Sequence, residues 1–237
     1  MKYILFSLLL LGTFVITENV QQSSENVFDK KDKNIHNKNI LVSNKKPYQI
    51  IKQSGIAKHD DGYECAFSYS YPAVPDEKLI EELKKAAPGC HSDEGGDVEI
   101  SFNVEATVYN DLYVVLDYSK YWYAEGTPHG YSDWYIEIYK KNAKGRLEKI
   151  EIIGHLIKNS QECEALIEKH LFKVLNASTT LWEGTTQHSL LQDASINLKP
   201  EGFEFSYVPY LIAAYANTPS PILITFKELK DCHFVKL

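Results

Sequence analysis

Between Val98 and Val108 the chain alternates without a break. Val98, Ile100, Phe102, Val104, Ala106 and Val108 are apolar, and Glu99, Ser101, Asn103, Glu105 and Thr107 stand between them. Successive side chains of a strand point to opposite faces, so this run predicts a long β-strand with one face in a core and one toward water. Asn110-Asp111 supplies a tight turn, and Leu112, Val114, Leu116 and Tyr118 continue as the return strand of a hairpin.

The flanking segments extend the pattern. Tyr63 to Tyr71 is rich in aromatics and ends at Pro72, which predicts a strand stopped by a turn. Pro75 and Asp76 open a helix in which Leu79, Ile80, Leu83, Ala86 and Ala87 recur at helical spacing, and Pro88-Gly89 closes it. Trp134, Ile136 and Ile138 share one face of a further strand; Lys140 to Gly145 turns the chain, and Leu147 to Ile153 returns. A second helix is expected from Ser160 to Leu175, with Cys163, Leu166, Ile167, His170, Leu171 and Val174 on one stripe. Phe203, Phe205 and Tyr207 alternate in another strand, Ile222, Ile224 and Phe226 in the last, and Glu228 to Cys232 suits a short terminal helix. The sum is an α+β domain: an antiparallel sheet with two main helices packed on one face.

The ends of the chain differ in kind. After Lys2, Ile4 to Ile16 is an almost unbroken apolar run, shorter than the roughly 17–25 residues of a membrane-spanning helix. It has the form of a signal peptide over residues 1–17 and predicts an exported protein with no membrane span in its mature form. Residues 18–47 are rich in Lys, Asn, Gln and Ser and read as a flexible polar linker, because too few apolar groups are present to offset ordering entropy. The folded domain is then 48–237, with a possible division into a strand–helix subdomain, 48–92, and the remainder, 93–237. The net charge of −7 argues against a nucleic-acid partner, which needs a basic footprint.

Four cysteines, Cys65, Cys90, Cys163 and Cys232, all lie in this domain and none forms a CxxC pair. An even count in an exported chain points to two disulfides. Three pairings are open; Cys65–Cys90 with Cys163–Cys232 keeps an early unit apart from a late one and is the expected arrangement. Ligands at zinc spacing are lacking, and Asp93, Glu94 and Asp97 do not follow the calcium-loop pattern, so neither metal nor cofactor is expected.

Two stretches carry a family likeness. One is the strand–Pro–helix opening SYSYPAVPDEKLIEELKKA. The other is the pair YAEGTPHGYSDWYIEIYKKNAKGRLEKIEI and FEFSYVPYLIAAYANTPSPILITFKEL, with Gly126, His129, Gly130, Gly145, Phe203, Phe205, Pro209, Tyr210, Tyr215 and Ala216 at the matching places. Over roughly residues 60–231 the chain resembles the extracellular lysozyme-sensing domain of the anti-sigma factor RsiV and the matching non-catalytic region of the peptidoglycan deacetylase PdaC. It departs from that pattern at Gly126-Thr127-Pro128-His129 and at Ala216-Asn217-Thr218. Only Met1 to Tyr3 precede the apolar run and no deacetylase domain is present, so sigma regulation and deacetylation do not carry over. The resemblance implies a non-catalytic binding protein of the cell envelope whose partner is lysozyme or a peptidoglycan fragment.

The loop from Tyr121 to Tyr131 gathers Tyr, Trp, Glu and His around glycines. Aromatic faces beside polar tips suit sugar or protein recognition, which nominates Tyr123, Glu125, His129 and Tyr131 as ligand-binding residues. The alternative is an envelope glycan hydrolase with Glu125 and His129 as an acid/base pair; no residue is otherwise expected to be catalytic. His188, Ser189 and Asp193 lie close together, but no nucleophile-elbow pattern surrounds the serine.

Overall fold

The alternating run forms the centre of the molecule. It is β4, Val98–Tyr109, and its return strand is β5, Tyr113–Ala124. Asn110 and Asp111 both take positive φ, 51° and 54°, and the Leu112 N–H donates to the Tyr109 carbonyl at 3.0 Å, the geometry of a hairpin turn whose twist matches its strands. The computed structural model describes residues 43–45, 47–58, 62–89 and 96–234; the expected signal peptide, most of the expected linker, Cys90, Asp93 and Glu94 lie outside them.

Around this hairpin stand β1 (Ser43–Lys45), β2 (Ile50–Lys58), β3 (Glu64–Pro72), β6 (Tyr131–Lys141) and β7 (Leu147–Lys149). They form one seven-stranded sheet in the order β2-β3-β4-β5-β6-β7, with β1 on the end of β4. Thus Ser43–Lys45, expected as linker, pair with Thr107–Tyr109. The strands of 48–92 and of 93–237 also share this sheet, since Cys65–Ser70 pair with Val98–Asn103. That pair is parallel, whereas the other ladders are antiparallel. The reason is the connection: α1, Glu77–Ala86, lies between β3 and β4, and a helical crossover returns the chain in the same direction. The Asp76 carboxylate caps α1 by accepting from the Leu79 N–H at 3.2 Å.

A second, antiparallel sheet has the order β10-β9-β8, from β8 (Ser195–Lys199), β9 (Gly202–Ser206) and β10 (Ile222–Thr225). The remaining helices are α2 (Ile152–Leu156), α3 (Ser160–Ser178) and α4 (Gln187–Gln192). The expected strand over Leu147–Ile153 stops at Lys149. Beyond it Ile152, Ile153, Leu156 and Ile157 are buried, a helical spacing that overrides the short alternation. The end of the chain, 226–231, makes successive turns in place of a terminal helix.

The α+β class and the two main helices, α1 and α3, match the sequence expectation; their placement corrects it. Leu79 and Leu83 of α1 pack with Phe102, Val104, Ala106, Val114, Leu116 and Tyr118 on one face of the large sheet. Tyr109, Tyr113, Val115 and Ile138 point to the other face by register. There they share a cluster with Ile167, Leu171 and Leu175 of α3 and Leu198, Phe203, Phe205 and Ile224 of the small sheet. The cause is β5: Tyr113, Val114, Val115 and Leu116 are all buried, so this strand is apolar at both parities where β4 is not. Each fully buried Leu or Ile of α3 contributes about 1.5–3 kcal/mol. Cys163 at the start of α3 is bonded to Cys232, with Cα atoms 5.3 Å apart. Cys65 is also disulfide-bonded.

Candidate functional site

The hairpin between β5 and β6 is built to turn one histidine outward. Gly126 takes φ 93°, a conformation costly for any residue with a Cβ. The Thr127 N–H and hydroxyl both donate to the Ala124 carbonyl, at 3.1 and 2.7 Å. Gly130 lies under the Tyr121 ring, where a Cβ would come within 2.3 Å of it. His129 Nδ1 is 3.0 Å from the Gly130 carbonyl, and the Tyr210 hydroxyl is 3.3 Å from Nε2. A carbonyl only accepts, so Nδ1 carries a proton, and in the neutral tautomer this selects, Nε2 accepts from the Tyr210 hydroxyl.

Tyr210 arrives from the other end of the fold. After β9, Tyr207 is buried and its hydroxyl donates to the Leu190 carbonyl at 2.8 Å; burial pushes its pKa up. Pro209 is buried as well, and the Leu211 N–H donates to the Val208 carbonyl at 3.3 Å. Tyr210 then takes φ 68°. A proline followed by a residue of positive φ is the pattern of a type II turn, in which that second place favours glycine. Here it carries a large aromatic ring. Trp182 steadies the turn from outside: its indole N–H donates to the Tyr210 carbonyl at 3.3 Å, and its backbone N–H to the Ile212 carbonyl at 2.9 Å.

The rings converge. His129 lies 5.3 Å from Tyr215 at 26° and 6.4 Å from Tyr210 at 19°, and Tyr210 and Tyr215 are 5.6 Å apart. Tyr210, Tyr215 and Trp182 are each 47% exposed. Polar atoms beside half-exposed aromatic rings give a surface able to stack and hydrogen-bond at once. Beside it, Tyr121 and Tyr123 stand by register on the same sheet face as Ser101, Asn103 and Ser119.

Of the four nominated residues, only His129 joins this cluster. Tyr123 and Tyr131 project to opposite faces of the sheet, because Tyr131 pairs with Trp122 and Tyr123 is its neighbour. Glu125 is exposed, and its N–H donates to the Asp97 carbonyl at 2.8 Å. Both imidazole nitrogens of His129 are engaged by Gly130 and Tyr210. The sequence reading missed Trp182 altogether. Tyr210 and Tyr215 stood in the family-like segment but were not nominated; Pro209 before a bulky aromatic was the available signal.

The other candidates are structural. Ser189 closes a capping box with Thr186 at the start of α4. His188 Nδ1 is 2.7 Å from Glu168 Oε1. Asp97 Oδ1 accepts from the Glu64 N–H at 2.8 Å. Among the described residues no group of three His, Cys, Asp or Glu side chains is placed to hold a metal ion, and no helix is long and apolar enough to cross a membrane.

No family model matches the chain, and no curated protein does. Among solved structures, the fold is similar to a DUF3298 family protein from Bacteroides fragilis NCTC 9343, with 13% identity, 83% of this chain and 94% of that chain covered, and a TM-score of 0.49. It is also similar to a DUF3298 family protein from Pseudomonas aeruginosa PAO1, with 11% identity, 81% and 94% covered, and a TM-score of 0.43.

Proposed function

We propose that this chain is an exported, non-catalytic binding protein of the cell envelope that grips its partner with the ring cluster of His129, Tyr210 and Tyr215. The observation that carries the reading is Tyr210. A bulky ring is held in solvent on a backbone conformation that favours glycine, and conformational strain of this kind collects at ligand-contacting surfaces. The partner is lysozyme or a peptidoglycan fragment, following the sequence resemblance; the net charge of −7 suits steering toward a basic protein. Engagement of both His129 nitrogens within the fold favours recognition over acid/base work by Glu125 and His129.

The test is calorimetric titration of the purified protein with lysozyme and, separately, with soluble muropeptides, alongside an assay for muropeptide release. Saturable binding to one of them, weakened at least about tenfold in Tyr215→Ala, is the expected result, since a buried interface aromatic commonly contributes more than 1.4 kcal/mol. No binding at low salt removes both partners. Muropeptide release that disappears in Glu125→Gln establishes the hydrolase reading instead.

A further inference from the structure

The α1 face of the large sheet carries a groove of about 550 Å³ between α1 and β5, β6 and β7, a volume within the range of small-ligand sites. Glu137 stands in its wall. Its Oε2 accepts from the Tyr118 and Tyr139 hydroxyls, each at 2.7 Å, and its Oε1 accepts from Lys149 Nζ, also at 2.7 Å. Tyr135 adds a flat wall, stacked on Tyr118 with centroids 4.3 Å apart. Lys120 Nζ lies 5.1 Å from the Tyr135 centroid, so a cation already rests on that ring. Glu82 of α1 lines the same groove, paired with the exposed Lys78 Nζ at 3.5 Å.

The parts differ in how firmly they are held. Tyr118 and Tyr139 are buried and fix Oε2 from within. Lys149 is 61% exposed at its side chain and reaches in from solvent on a flexible stem. Burial alone would raise the Glu137 pKa, but hydrogen bonds from Lys149, Tyr118 and Tyr139 outweigh it and hold the carboxyl below the ordinary glutamate range. A carboxylate fixed by two phenols, aromatic walls and a second carboxylate form a receptor for positive charge.

We propose that this groove is a second binding site, independent of the His129 cluster, that takes the guanidinium or ammonium group of a small organic cation in the seat now filled by Lys149. The chain's own lysine shows how a ligand cation sits, and its exposed position allows exchange without moving the sheet.

The experiment titrates the full chain with Nα-acetyl-L-argininamide, whose only charge is the guanidinium, and with its uncharged counterpart Nα-acetyl-L-citrullinamide, followed by NMR shifts of the tyrosine rings. The expected result is saturable binding of the charged probe at least about tenfold tighter than the uncharged one, since a charge-assisted hydrogen bond is stronger than its neutral counterpart. Lys149→Ala removes the internal competitor and tightens binding severalfold, Tyr135→Ala weakens it, and Tyr210→Ala leaves it unchanged. Equal affinity for the two probes overturns the proposal. So does a Lys149→Ala variant with no gain in affinity. Neither outcome bears on the His129 cluster, which the Tyr210→Ala arm separates from this site.

Discussion

Replacing Tyr210 by glycine should leave the protein more stable than replacing it by alanine. Both changes remove the ring and with it the tilted contact with Tyr215, the stacking on His129 and the hydrogen bond to His129 Nε2, so those losses cancel between the two variants. What differs is the backbone at φ 68°. A residue with a Cβ there costs about 1–2 kcal/mol, whereas glycine loses about 0.4–1 kcal/mol through the greater freedom of its unfolded chain. The glycine variant is therefore favoured by about 0.5–1 kcal/mol, which in a domain of this size is a melting difference of roughly 1–4 °C. Thermal unfolding of both variants by circular dichroism, with urea unfolding as a cross-check, measures it. An alanine variant as stable as the glycine variant would refute the claim that Tyr210 is held against its conformational preference.

Two further outcomes follow from groups described above. Replacing Cys163 and Cys232 together by alanine opens a loop of sequence separation 69 and should cost about 4 kcal/mol on the chain-entropy account; a loss under about 1 kcal/mol in urea unfolding would contradict it. Glu137 titrates below its ordinary value in the folded protein, so the unfolded chain binds the proton more readily. Its stabilising contribution is complete above the unfolded value of about 4.5 and is lost as pH falls through the lower folded value. The stability gap between the native protein and Glu137→Gln should therefore narrow on acidification; a gap constant from neutral pH to pH about 3 would remove the linkage.

Legibility in the sequence followed the strength of local physics. The run from Val98 and the Asn110-Asp111 turn were readable because strand period and left-handed backbone are local properties, and β4 and its turn lie where they were expected. The Asp76 cap and the Leu79–Leu83 spacing placed α1 for the same reason. By contrast β2 and β8 were not foreseen: β2 is largely exposed and has no apolar period, and both depend on partners distant in sequence. The opposite placement of α1 and α3 depends on how β5 buries both parities, which a one-sided reading of β4 concealed. The ring cluster was half legible. His129 announced itself among glycines, but its neighbours Tyr210 and Tyr215 lie more than eighty residues away, and only the fold brings them to it.

The bridge between Cys163 and Cys232 has a bearing on durability. Trp182, Tyr210 and Tyr215 all fall inside the covalent ring it closes. A protease that severs one peptide bond anywhere in that ring leaves the two pieces joined through sulfur. A nick at the exposed Glu183-Gly184 stretch would thus open the ring without releasing either piece, and the cluster of Trp182, Tyr210 and Tyr215 would stay covalently tethered until a reductant cleaved the bridge.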